Sequence, residues 1–158
     1  MNRDEILQRA ANGNPDALAF LKAFARRAHW VDDLRDRDHT ERNQVEAGGD
    51  MWYSAHRFAD EEANWLAAIA GNTFFVLHRA QLVPAMLSSL SAWADSHNFP
   101  PNQQAVLKGQ WHEVIWLVAW LTGGWTHMRV VASQCREFDV ELPEAFRVPI
   151  ERTNGTLR

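Results

Sequence analysis

Apolar positions along this chain recur at steps of three and four, while alternating runs of β-branched residues are nearly absent. That pattern predicts helices throughout and no sheet. Asn2 with Glu5 has the form of a capping box and opens a short helix that stops near Asn12-Gly13. Asn14-Pro15 is an N-cap and first-turn pair, and it starts a long helix through ALAFLKAFARRAHWVDDLRD. Leu18, Leu21, Ala25 and Ala28 form its apolar stripe.

Thr40 with Asn43 marks a weaker start, and Gly48-Gly49 ends or interrupts the helix begun there. A helical run from Asp50 to Phe58 precedes Asp60-Glu61-Glu62, acids suited to the first turn of a next helix that ends at Gly71-Asn72. Thr73 to Gln81 and Pro84 to Asp95 read as two helices, the second opened by its proline. Phe99-Pro100-Pro101-Asn102 is a loop. Gln103 to Leu121 reads as one long helix, broken at Gly123-Gly124, and Trp125 to Glu137 as the last. From Leu142 onward, prolines and polar residues predict an extended tail. The expectation is a single all-α domain over residues 1–141, a bundle of about six to eight helices, followed by a tail over 142–158.

Composition narrows the class further. The chain has 158 residues, 46% hydrophobic and 23% charged, enough to bury one core. Eight Trp against one Tyr imply that large rings fill that core. A net charge of -4 argues against a nucleic-acid binder, which would carry a basic face. The single cysteine, Cys135, excludes an internal disulfide framework and a Cys-rich zinc site, fits a reducing compartment, and reads as structural. The N-terminus lacks the apolar segment of a signal peptide, and Val114 to Leu121 is too short to span a bilayer. These features predict a cytoplasmic protein that does not engage a membrane.

Candidate chemistry lies at the end of the long helix. His29, Asp32, Asp33 and Asp36 stand at i, i+3, i+4 and i+7, on one side of a 3.6-residue helix. The steps of the apolar stripe continue into Asp32 and Asp36, so the inward side turns acidic. Asp is a poor helix former, and its charge near a helix C-terminus opposes the macrodipole. Residues that break local rules together tend to mark function. The plain alternative is a solvated helix end in which Arg35 and Arg37 pair with the aspartates.

A second helix, QAVLKGQWHEVIWLVAWL, is apolar almost all round in its last turns, and His112 and Glu113 stand where that run begins. A buried Glu113 requires a partner: a metal shared with Asp32, Asp33 and Asp36, or an arginine such as Arg26 or Arg129. An all-oxygen set of this kind suits Mg2+ or Mn2+ and, through the ion, phosphate or diphosphate oxygens. His29 would then be a ligand or the base for a bound water. His39, His56, His78, His97 and His127 lack pair spacing, and no phosphate-binding glycine loop or nucleophile elbow is present.

The stretch FARRAHWVDDLRDRD resembles the first aspartate-rich motif of isoprenoid synthases of the squalene/phytoene type. The resemblance implies magnesium-held diphosphate at Asp32, Asp33 and Asp36. The chain is far shorter than those enzymes and has no second aspartate-rich helix, so full prenyl transfer is not expected. In length and layout it resembles a family of small proteins of tailed bacteriophages and prophages. Their segments correspond here to His29 to Asp38, Asn72 to His78, and Glu113 to Gly124, with Val31 where an aromatic is common. That resemblance implies a phage origin and no particular activity. Two functions are therefore expected to compete. One is a Mg2+- or Mn2+-binding protein acting on a phosphate compound. The other is a non-catalytic phage accessory protein, a virion component or an inhibitor of a host system, with the acidic helix end as its contact surface.

Overall fold

The computed structural model describes residues 2–36 and 51–138, without the side chains of 31–36, 51–58, 97, 101, 102, 105, 108, 137 and 138. Among these residues the protein is all-α. Its helices are α1 (Arg3–Ala11), α2 (Pro15–Asp36), α3 (Met51–Ala70), α4 (Thr73–Asp95), α5 (Pro101–Lys108) and α6 (His112–Phe138), with 3-10 turns at Ser96–Asn98 and Gly109–Trp111. No described helix is long and apolar enough to cross a membrane. The expected helix at Thr40 and the tail over 142–158 lie outside the described residues.

Local signals at the helix starts act as the sequence implies. The Asn2 side chain accepts from the Glu5 backbone N–H at 2.9 Å, and the Glu5 carboxylate accepts from the Asn2 N–H at 3.0 Å. α1 ends where Asn12 turns left-handed (φ 49°) and Gly13 follows at φ 78°. Asn14 caps α2 by accepting from the Ala17 N–H at 3.0 Å. Each cap satisfies a donor that the first turn leaves without an intrahelical partner.

Tertiary packing overrides the sequence pattern at three places. First, Met51–Ala70 is one helix, so Asp60, Glu61 and Glu62 lie in its middle rather than its first turn. Glu61 and Glu62 are held there by Arg26 and Arg27 of α2. Second, α4 runs unbroken through Pro84. Pro84 lies on the exposed side, while Leu82 and Met86 on either side of it are buried and keep the helix in line. Third, the long helix expected over 103–121 is two. The chain bends at Gly109–Trp111, and α5 starts at Pro101, inside the expected loop.

The glycine break lies where the sequence puts it. Within α6, Gly124 takes φ 74° and ψ -170°, a conformation open in practice only to glycine. The His127 ring lies over Gly123, where an added Cβ would meet it at 2.6 Å.

The core centres on α2, which touches α1, α3, α4 and α6. Ala17, Phe20, Leu21, Phe24 and Ala25 are buried together with Ile6, Leu7, Leu82, Ile115, Val118 and Cys135. Phe20 meets Phe24, Phe74 and Phe75 at ring-centroid distances of 6.3, 6.4 and 5.6 Å. α1 is fastened to α6 by two hydrogen bonds. Thr122 Oγ1 donates to the Ala10 carbonyl at 2.8 Å, and Asn12 Nδ2 donates to the Thr122 carbonyl at 3.0 Å.

Asn72 joins α2 to α4. Its Oδ1 accepts from the Phe75 N–H at 2.7 Å, and its Nδ2 donates to the Asp16 carbonyl at 2.8 Å. Asn72→Ala is expected to cost about 2–4 kcal/mol in urea unfolding, the sum of a lost cap and a carbonyl left without its donor. Asn72→Asp keeps the acceptor and loses the donor, so its midpoint should fall between wild type and Asn72→Ala.

Candidate functional site

Two described members of the expected cluster define its surroundings. His29 is exposed on α2. Glu113 is also exposed, in the first turn of α6, whereas its neighbours His112, Val114 and Ile115 are buried. This corrects the expectation that Glu113 enters the core and needs a buried partner. The start of α6 is phased so that His112 points inward, against Trp111 at 4.3 Å and Trp116 at 6.4 Å between ring centroids. Of the two expected arginines, Arg26 binds Glu61, and the Arg129 guanidinium lies 5.9 Å from the Trp125 ring centroid.

The α2 backbone is helical through Asp36, so Asp32, Asp33 and Asp36 keep their i, i+1, i+4 register. Their side chains lie outside the described residues. The buried side of α2 is centred on Ala17, Phe20, Leu21 and Phe24. Among the described residues, no three His, Cys, Asp or Glu side chains gather closely enough to hold a metal ion.

Just before the aspartates, α2 and α3 enclose an open groove of about 280 Å3, lined by Ala23, Arg26, Arg27, Trp30, Glu61, Asn64, Trp65 and Ala68. Antiparallel pairing builds it: Asp16 is level with Asn72, and Arg26 and Arg27 with Glu61 and Glu62. Arg26 holds Glu61 through two bonds, Nε–Oε2 at 3.0 Å and Nη2–Oε1 at 2.8 Å. The hydrogen bond and the charge of Glu61 together push the Arg26 guanidinium further above its ordinary pKa. Arg27 binds Glu62 and also lies over the Trp65 ring, 5.4 Å from its centroid.

Both arginines are therefore already neutralised within the protein. The groove's lining sets Ala23, Trp30, Trp65 and Ala68 beside the paired charges of Arg26 and Glu61. Cys135 is a fully buried thiol, as expected of a structural cysteine.

Sequence reasoning missed this groove because its residues come from two helices. The signal was the pair Arg26-Arg27 against Glu61-Glu62, equal and opposite doublets on neighbouring helices. His78 packs on Phe74, with ring centroids 4.7 Å apart and the rings tilted by 53°. With Asn72 as the joint of two helices, the segment from Asn72 to His78 holds α4 against the core. Trp120 and Trp125 are half or more exposed on α6. Comparison of the chain with known protein families, curated proteins and solved structures finds no match.

The two ion pairs should differ in worth. Arg26 is largely exposed, so Arg26→Ala is expected to cost at most about 1 kcal/mol. Arg27 is mostly covered and packs on Trp65, so Arg27→Ala should cost roughly 1–2 kcal/mol. Chemical denaturation of the two single variants reads the order directly.

Proposed function

We propose that this protein is a non-catalytic binding protein, in which the acidic end of α2 and the adjoining groove dock a basic segment of another protein. One observation carries the reading. An open groove between α2 and α3, with Trp30 and Trp65 in its lining, adjoins the part of α2 that carries Asp32, Asp33 and Asp36. Such a surface accepts an apolar side chain beside Lys or Arg, and charge complementarity sets its register and on-rate. The exposed positions of His29 and Glu113 support docking over a closed catalytic centre, and the exposed Trp120 and Trp125 add surface suited to partners. The role is that of an accessory protein, in keeping with the phage-type proteins the sequence resembles.

A second reading keeps the i, i+3, i+4, i+7 spacing as a ligand set. In it, Asp32, Asp33 and Asp36, with Glu113 from α6, bind Mg2+ or Mn2+ and through it a phosphate compound, with His29 beside the ion. The continuous helix through Asp36 favours this reading, because it preserves the spacing.

Thermal melting of wild type and the triple variant Asp32→Asn/Asp33→Asn/Asp36→Asn separates the readings. If the acids are kept for docking, removing their charge relieves the macrodipole conflict and raises stability by about 1 kcal/mol, or roughly 2–4 °C. A drop in melting temperature instead would make the aspartates ordinary salt-bridged surface. Docking also predicts salt-sensitive binding of a Lys/Arg-rich amphipathic peptide, weakened about tenfold in the triple variant. Metal binding predicts instead that millimolar Mn2+ raises the wild-type melting temperature and leaves the triple variant unchanged.

A further inference from the structure

α6 is not one straight rod. Trp116 and Arg136 stand at the two ends of a stretch that, in a continuous helix, would span about 30 Å. Yet the Arg136 guanidinium lies 5.4 Å from the Trp116 ring centroid. The two side chains meet because the chain folds back where Gly124 leaves helical dihedral angles, at φ 74° and ψ -170°. Residues 112–123 and 125–138 are therefore two helical halves turned toward each other. Both supply the same core, Ile115, Val118 and Ala119 from the first and Val131 and Cys135 from the second.

A fold-back at a single residue takes helical partners from the last carbonyls of the first half and the first N–H groups of the second. Part of that loss is met from outside, since the Thr122 carbonyl accepts from Asn12 at 3.0 Å. Helical dihedral angles at Gly124 alone would restore the missing bonds and make His112–Phe138 one helix of about 40 Å. Packing opposes this. Val131, Ala132 and Cys135 of the second half are buried, and straightening would carry them out of the core into water.

A second copy removes that penalty. We propose that Gly124 is the hinge of a domain exchange, in which α6 straightens and residues 125–138 of each copy take their place in the core of the other. The contacts of this half are then remade between copies, that of Arg136 with Trp116 included, and only the turn at Gly124 is lost. No new surface has to be complementary, because the interface is the one that a single copy already uses. The residue at the hinge sets the balance. Glycine is open to φ 74° and is the poorer helix former, so it favours the folded-back form, and alanine favours the straight one about fivefold on propensity alone. The neighbouring glycine is fitted to the same form: the His127 ring lies where a Cβ on Gly123 would meet it at 2.6 Å.

Gly124→Ala tests the hinge, read by sedimentation equilibrium of the full chain at about 50 µM, a concentration at which mass action reveals moderate dimers. The expected mass is twice the 18.1 kDa of the chain, with helicity at or above that of the wild type. A folded Gly124→Ala with the mass of one chain overturns the proposal. If the variant does not fold, the wild type decides. Refolded from urea at about 500 µM, it should yield dimers that outlast dilution to about 5 µM by hours, because release requires the exchanged half to leave a core. Refolding that returns only single chains overturns the hinge.

Two further measurements separate exchange from adhesion between surfaces. Spin labels on Glu113→Cys and Ser133→Cys, both at exposed positions, report the distance within one copy when labelled chains are diluted with unlabelled ones, and buried Cys135 takes no label. In the dimer that distance should be about 30 Å, the span of a straight α6, against a much shorter one in the single copy. A dimer that keeps the short distance is not an exchanged one. The outward side of α4, where Val76, Leu77, Val83 and Leu87 are exposed, plays no part in the exchange. Val83→Glu/Leu87→Glu added to Gly124→Ala should therefore leave the dimer intact, and its dissociation would assign the association to that side of α4 instead.

Discussion

Burial of Phe20 and Phe24 on one side of α2 is the constraint on which the rest of the packing depends. Both rings are essentially inaccessible to water, and each contributes about 2 kcal/mol or more through the area it removes from water. Phe20 also draws Phe74 and Phe75 of α4 into ring contact, which brings the start of α4 against the start of α2. Asn72 then fixes that approach with one bond to each helix. Further along, Arg26 and Arg27 tie α2 to α3 where the aromatic contacts have run out. α2 thus grades from a beginning whose inward side is apolar, through a belt of ion pairs, to an end rich in aspartate.

The fold was legible wherever its cause is local. Asn2 and Asn14 each satisfy a backbone donor within three residues, so their pattern reads directly as a helix start, whereas Asn72, read beside Gly71 as a helix end, is also the cap of α4. Gly124 was legible for the same reason, since its conformation is closed to other residues. The misread boundaries have distant causes. Asp60-Glu61-Glu62 resembles a helix start until Arg26 and Arg27 are seen opposite. Pro84 resembles one too, until Leu82 and Met86 show that the helix is held in line across it by burial. The turn at Gly109–Trp111 belongs with them: helical periodicity is present on both sides of it, and the turn packs against α4 and α5.

The candidate site divides in the same way. The spacing of His29, Asp32, Asp33 and Asp36 is a property of one helix and needed no tertiary information. Which way the helix faces did: its buried side carries Phe20 and Phe24 beside Leu21 and Ala25. Glu113 failed for a related reason. A residue flanked by a buried His112 and a buried Val114 reads as buried in a string, yet at 100° per residue one position inside an apolar run can still face water.

Charge placement connects the two surfaces of the molecule. Asp32, Asp33 and Asp36 concentrate like charge near a helix C-terminus, where the macrodipole makes it costly. The outward side of α4 does the reverse, leaving a long exposed stripe without the charge that would keep it solvated. Solubility alone explains neither arrangement, because moving a few acids from the first surface to the second would ease both costs. The two surfaces therefore differ in charge as well as in place, and the core around Phe20 and Phe24 holds them on separate helices of one fold.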